Sequence, residues 1–210
     1  MNQCPQDRSA HGLQLLRLPA LLYGGIATAF PLVASVHLKA WTIALSWLGG
    51  FVVWTLFEYG FHRFVLHTAV GRAFRAWDDH GFHHHHPEDP QDFVYTLLES
   101  GLLAAAVAGV SLLLGGLAGA VGLSGFLVGY LCYECVHMAA HCHAFRSRRS
   151  CLKRRSNHHL DHHIHHPNAN FGFVTSLWDR VFQTRRACGR TQPAEQLEDR
   201  KASAGARSAR

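Results

Sequence analysis

Histidine carries most of the chemistry this chain can do, because 16 of its 18 histidines fall between His62 and His166. They form four blocks: His62-Arg-Phe-Val-Leu-His67, His80-Gly-Phe-His83-His84, His137-Met-Ala-Ala-His141 and His159-Leu-Asp-His162-His163. Neutral imidazole is the commonest protein ligand for transition metals, and with no charge of its own several can crowd around one cation. The ten imidazoles of these blocks are too many for one ion and suit two. On a helix, His137 and His141 share one face, and the i, i+3, i+4 spacing of His80/His83/His84 and of His159/His162/His163 makes two stripes, each able to grip a metal from one side. His62 and His67, five apart, diverge by about 140° on an ideal α-helix, so they need a local distortion or must serve different metals.

The segments that position these blocks are apolar. The chain has 210 residues, 48% hydrophobic and 16% charged, with 19 glycines, a composition closer to a small integral membrane protein than to a soluble enzyme. Only Lys39 interrupts the interval between Arg17 and Glu58, and the runs 18–38 and 40–60 are each long enough to span a bilayer, predicting a tight helical hairpin. A cleaved signal peptide fits the first run poorly, since Arg17 comes late and Pro31 interrupts it. Between Phe93 and Val136 a single helix would be roughly 66 Å long, about twice a hydrocarbon core, so spans over about 95–114 and 117–136 turning near Gly115 and Gly116 are expected. A second hairpin returns His137 to the membrane side of His84, which places all four blocks on one face. Of 20 Lys and Arg residues, 19 lie in the N-terminus, the central loop or the C-terminal region, so both termini and the histidines are expected to be cytoplasmic.

The expected fold is therefore an all-α integral membrane protein: four transmembrane helices in two hairpins, with the histidine-rich blocks gathered on the cytoplasmic side. Residues 1–17 read as a cytoplasmic N-terminal segment, 18–186 as the membrane domain and 187–210 as a disordered basic tail. The 14 Lys or Arg against 5 Asp or Glu after Cys142 suit anionic headgroups, and without aromatic-basic interleaving they do not indicate nucleic acid. The six cysteines form no disulfide framework, and Cys132 and Cys135 lie in an apolar helix where packing explains them. No internal repeat exceeds the recurring histidine spacing.

A single histidine at a membrane boundary is ordinarily an interfacial polar group; four blocks with repeated spacing at helix ends are not. His85, His86, His158, His165 and His166 extend the blocks and are expected mostly around the ligands or in solvent, with a ligand role left open, and His11, His37 and His143 are expected to be uninvolved. Glu58, Glu134, Asp161 and His158 are candidates to orient ligating imidazoles by accepting or relaying their second N–H, against the simpler reading of Glu58 and Glu134 as helix-end charges.

The run Glu58-Tyr-Gly-Phe-His62 through His67, then His80-Gly-Phe-His83-His84 with Pro87 and Asp89, His137-x-x-x-His141, His159-x-x-His162-His163, and finally Asn170-Phe-Gly-Phe-Val-Thr-Ser-Leu-Trp-Asp-Arg-Val-Phe182 resembles the fatty acid hydroxylase and sterol desaturase superfamily over roughly residues 40–186. The His80 block with Pro87 and Asp89 is most similar to the fatty acid 2-hydroxylase branch. Two departures stand out: the Arg-Leu-Val segment and paired prolines of that branch are missing after Asp89, and Gln183 occupies a position where the family usually has glycine. The resemblance implies four membrane helices capped by a cytoplasmic domain with an all-histidine diiron centre. The implied ligands are His62, His67, His80, His83, His84, His137, His141, His159, His162 and His163.

Cleaving an unactivated C–H bond needs an oxidant that side chains lack but iron with O2 supplies. All-nitrogen ligation desolvates fewer charges near a membrane than the Glu-rich sites of soluble diiron bundles. The expected reaction is O2-dependent hydroxylation of a lipid acyl chain, at the carbon next to the carbonyl, on lipid entering from the bilayer. Electrons would come from a separate ferredoxin or cytochrome b5 type donor, since the chain has no room for the cytochrome domain fused to many eukaryotic members. Two iron ions are the expected cofactor, with zinc able to replace them during purification. Sterol or carotenoid hydroxylation or desaturation is the alternative within the superfamily. A membrane metal transporter would place its ligands near the midplane rather than at helix ends, and a zinc hydrolase would need an open position and a general base that ten ligands do not suggest.

Overall fold

The computed structural model describes residues 5–68, 76–86, 97–141 and 150–187, with side chains over 14–68, 80–86, 100–141 and 151–187, and its regular elements are all helical. Helix α1 spans Pro5–Ala34, α2 spans Ala40–Gly60 and runs directly into a π-helix at Phe61–Leu66, α3 spans Ala76–His85, α4 Leu97–His141, α5 Ser150–Ile164 and α6 Leu177–Val181. The backbone of α1 is helical well before the apolar run begins at Leu18, and it ends at Ala34, four residues short of Leu38. The tail after 187, the pair Pro87 and Asp89, and His143 lie outside the described residues.

Helix α4 is two arms rather than one rod. Gly116 adopts φ 52° and ψ −129°, a conformation that glycine reaches at little cost and that a Cβ would obstruct. Three residues later the chain is back against itself, since a Cβ on Gly119 would collide with the Ser111 carbonyl. Residues eight apart in an unbroken helix would be about 12 Å apart along its axis. The reversal falls at the glycine pair where the length argument requires one.

The two arms of the first hairpin do not pack chiefly on each other; α1 and α2 each lie against α4. Where α2 crosses α4, Gly50 meets the backbone of Gly122 and Gly125 meets that of Trp47, so closely that neither position has room for a Cβ. Small residues at such crossings bring helices together when burial of apolar surface from water cannot drive them. An aromatic core fills the bundle: Trp54 packs edge-on to Phe126 at 5.0 Å and to Tyr130 at 5.4 Å, and Tyr23 edge-on to Tyr130 at 5.5 Å.

The outside is equally apolar. Leu21, Val36, Leu113 and Leu114 are 75–87% exposed, which belongs in lipid and not in water. Among the described residues three stretches have the length and composition to cross a membrane, Gln14–Ala34, Ala40–Leu66 and Ser100–His141, the last being the one that folds back at Gly116. At the end where α2 and α4 finish, α3, α5 and α6 gather. There α3 meets the π-helix, α5 meets α4 and α6 meets α2. The last contact is polar at its centre, with Trp178 Nε1–H donating to Thr55 Oγ1 at 3.0 Å, and aromatic at its rim, with Phe182 stacked on Tyr59 at 5.3 Å.

Candidate metal centre

The ten imidazoles converge at that end as two adjacent sets. His62, His67, His80, His84 and His162 form one, here site A; His83, His141, His159 and His163 form the other, site B, and within each set the ligand nitrogens lie within 4.8 Å of one another. His137 completes site B, its Nε2 2.9 Å from His83 Nε2. The two sets touch where the His84 ring stacks on His163 at 4.1 Å.

Each site takes a helical pair from two elements and a single histidine from a third. Site A has His62 and His67 from the end of α2, His80 and His84 from α3, and His162 from α5; site B has His137 and His141 from α4, His159 and His163 from α5, and His83 from α3. The stripes thus do not each grip one metal, as the spacing suggested. At 100° per residue His80 and His84 are about 40° apart, whereas His83 lies about 60° to the other side of His80, so the pair closes one site and the middle histidine reaches the other. Helix α5 repeats this with the sites exchanged.

The five-residue spacing of His62 and His67 is resolved by distortion. The π-helix at Phe61–Leu66 widens the turn, which brings i and i+5 onto one face, and the two Nε2 atoms come within 3.2 Å.

All nitrogens facing one another are Nε2. Separations in site A are 2.9 Å for His67–His80, 3.1 Å for His80–His84 and His67–His162, and 3.2 Å for His62–His80. Those in site B are 2.9 Å for His141–His159 and 3.0 Å for His159–His163. Two ligands at right angles with metal–nitrogen bonds of about 2.1 Å stand about 3.0 Å apart, so these separations would suit donors sharing a cation. Burial holds the His80, His83, His159, His162 and His163 imidazoles well below the ordinary histidine range, and pushes His67 to about 4 and His84 to about 3. They are neutral at pH 7, with lone pairs available. The donor set fits two borderline transition-metal ions and offers no carboxylate to either.

The outer contacts differ from expectation. Glu58 is buried one turn before His62, yet its carboxylate accepts the backbone N–H groups of Phe173 and Val174. Asp161 accepts from Asn170 Nδ2 at 2.7 Å and lies 3.3 Å from His165 Nδ1. Glu134 is fully buried within α4, one turn after Tyr130. His158 Nε2 reaches Asp179 Oδ2 at 3.2 Å. His85, His86 and His37 are exposed.

Two imidazoles of site A are instead oriented by main chain. His62 Nδ1 meets the Phe171 carbonyl and His162 Nδ1 the Ala169 carbonyl, both at 2.7 Å, which places the ring proton on Nδ1 and leaves Nε2 bare. The loop supplying these carbonyls is held by Asp179, to whose Oδ1 Phe171 N–H donates at 2.8 Å and to whose Oδ2 Gly172 N–H donates at 3.0 Å. Burial favours the neutral acid, but hydrogen bonds from His158, Gly172 and Thr184 hold the Asp179 carboxyl below its ordinary value. Phe173 closes the space between the sites, 4.1 Å from the His159 ring and 5.0 Å from His62. Neither Asp179 nor the loop carbonyls has a spacing signature; only the resemblance of the 170–182 stretch marks the segment.

The family model described as fatty acid hydroxylase matches residues 47–184. The chain is 29% identical over 171 residues to the dihydroceramide fatty acyl 2-hydroxylase FAH2 of Arabidopsis thaliana, covering 80% of this chain and 71% of that protein. It is 33% identical over 145 residues to the ceramide very long chain fatty acid hydroxylase SCS7 of Saccharomyces cerevisiae, covering 64% of this chain and 36% of that protein. Among the other relatives, the chain spans 58% of a second Arabidopsis 2-hydroxylase and 39% of the human fatty acid 2-hydroxylase. A solved structure of full-length scs7p, with only its hydroxylase domain visible, superposes with a TM-score of 0.71 at 26% identity, covering 83% of this chain and 67% of that one. These relatives agree with the branch to which the His80 block points, and the match of residues 47–184 places this chain in the fatty acid hydroxylase family.

Proposed function

We propose that the chain hydroxylates a lipid acyl chain, at the carbon next to the carbonyl, at an all-histidine diiron centre. The observation that carries this reading is the sorting of ten neutral imidazoles into two sets of Nε2 donors at the end of an apolar helical bundle. The printed functions of the relatives, acyl and ceramide hydroxylation, supply the substrate class. Bound iron would supply the oxidising power that side chains lack, with O2, two electrons and two protons converting one C–H bond to C–OH and releasing water.

The chain's own residues do the positioning. The five imidazoles of each site would hold an ion without adding charge, and the Ala169 and Phe171 carbonyls fix the tautomers of His162 and His62. Phe171, 5.4 Å from the His67 ring, and Phe173 present apolar surface beside the donors, which suits an alkyl chain and excludes water. Electrons come from a separate ferredoxin or cytochrome b5 type protein.

Four membrane spans, with α4 contributing two, and a cytoplasmic metal centre with cytoplasmic termini complete the reading. The reversal at Gly116 and the Lys and Arg asymmetry support it. A cysteine placed at Lys39 should label from outside intact cells, and cysteines in the 70–90 loop or after residue 185 should not; external labelling of the central loop but not the tail contradicts this topology. Lipid mass spectrometry of cells expressing the chain with a suitable reductase tests the reaction. A gain of one oxygen on acyl chains, dependent on iron and O2, is the expected result. A gain on sterol or carotenoid moves the substrate, loss of two hydrogens makes the chain a desaturase, and unchanged lipids with an iron-loaded, reduced protein contradict the enzyme reading.

A further inference from the structure

Every backbone N–H from Asn170 to Val174 is committed. Asn170, in the left-handed region at φ 58°, donates to the Thr184 carbonyl at 3.0 Å; Phe171 and Gly172 donate to Asp179; Phe173 and Val174 donate to Glu58. With its donors tied outward, the segment turns the Ala169 and Phe171 carbonyls to His162 and His62, both in site A. In site B, by contrast, neither His83 nor His163 has an Nδ1 hydrogen-bond partner among the described residues.

Asp179 is the hub of this arrangement. It is fully buried and takes four donors, since Thr184 Oγ1 at 2.8 Å and His158 Nε2 at 3.2 Å join the two backbone amides. The fit leaves no slack, because a Cβ on Gly172 would meet the Thr175 carbonyl and would lie 3.0 Å from Asp179 Oδ2. Buried groups left without their partners are costly, so removing the acceptor displaces the loop rather than leaving its amides in place unpaired.

We infer that Asp179 is a positioning residue for one metal site only: through the 169–172 loop it sets the His62 and His162 imidazoles, and so the affinity of site A, while site B is independent of it. The inference rests on the dimetal reading above. Asn at this position keeps the shape but replaces one accepting oxygen by an N–H donor, which faces donors from the loop, Thr184 or His158 whichever way it turns.

The test titrates full-length chain in nanodiscs, stripped of metal, with zinc. In a chain whose site B is disabled by His141→Ala and His163→Ala, Asp179→Asn should weaken the remaining ion about 10- to 100-fold, the usual cost of losing an outer-shell partner. In a chain whose site A is disabled by His67→Ala and His84→Ala, the same change should leave the remaining ion unaffected. Thr184→Val, which keeps the carboxylate and removes one of its four donors, should show the same selectivity at smaller size and carries the test if Asp179→Asn does not fold. Equal weakening in both backgrounds, or in neither, overturns the inference while leaving two ions in the unmodified chain. An unmodified chain that binds fewer than two ions overturns the dimetal reading itself, and the role of Asp179 with it.

Discussion

Sites A and B draw on the same residue type in the same numbers but are held in different ways. Site B is the more buried: His83, His137, His141 and His159 are all 5% exposed or less, and its end-of-helix pair sits at the ordinary i, i+4 spacing of an α-helix. Site A contains three half-buried rings, His67, His80 and His84, needs a π-helix to align His62 with His67, and borrows two loop carbonyls for orientation. Regular helix packing is enough to hold imidazoles where the surroundings are deep. In site A, irregular backbone and a buried carboxylate fix the two deepest rings, His62 and His162, while the other three stay half-buried.

The difference is sharpest at two neighbours in sequence. His83→Ala and His84→Ala remove adjacent residues that serve opposite sites, so each should lose a different ion. Each should weaken its own site by more than about 100-fold, beyond the effect of an outer-shell partner, and leave the other ion bound. Metal analysis paired with a second substitution in the opposite site checks this, and loss of both ions from either single variant breaks the division into two sites.

Acid should separate the metal-free chain from the unfolded one through the more exposed rings. His67 and His84 have folded-state values of about 4 and about 3, below the 6.5 of an unfolded histidine. Above pH 6.5 both states are neutral and nothing is lost; as the pH falls from there towards 4 and 3 the unfolded chain takes up protons first, and stability declines. Thermal unfolding of the stripped protein should therefore occur at lower temperature at pH 5 than at pH 7.5, and an unchanged midpoint would contradict the burial of these two imidazoles.

The smallest expected effect lies in the turn behind site A. Gln183 holds φ 58° at the position where the family usually has glycine, and its neighbour Thr184 supplies a donor to Asp179. A left-handed conformation costs a side-chain-bearing residue about 1–2 kcal/mol, part of which glycine returns through its freer unfolded chain. Gln183→Gly should thus stabilise by about 0.5–1 kcal/mol without altering site B, measured by denaturant unfolding; destabilisation would mean that the Gln side chain makes a compensating contact.

Much of this was legible in the residues. Uninterrupted apolar runs predict α2 and the turn in α4, because a helix twice the thickness of a bilayer has to fold back and Gly115-Gly116 is the place where it costs least. The five-residue spacing of His62 and His67 leaves a distortion or different metals as the alternatives, and the π-helix decides for the distortion. Allocation of the stripes was not legible, since spacing along one helix says which rings are neighbours but not what lies on either side of them. The polar stretch before Leu18 hid the early start of α1, which no apolar periodicity announces. Glu58 and Asp179 escaped correct reading for a common reason: their partners are backbone amides of a loop more than 100 residues away for Glu58, and seven or eight away for Asp179, and amides carry no sequence label.

The central claim is that the ten imidazoles make two separate sites, and counting metal in purified, full-length protein tests it most directly. Elemental analysis of protein loaded with iron under anaerobic conditions should give about two ions per chain, in keeping with the two sets of Nε2 donors. One ion or fewer per chain, in protein whose His83→Ala and His84→Ala variants bind just as much, would contradict it.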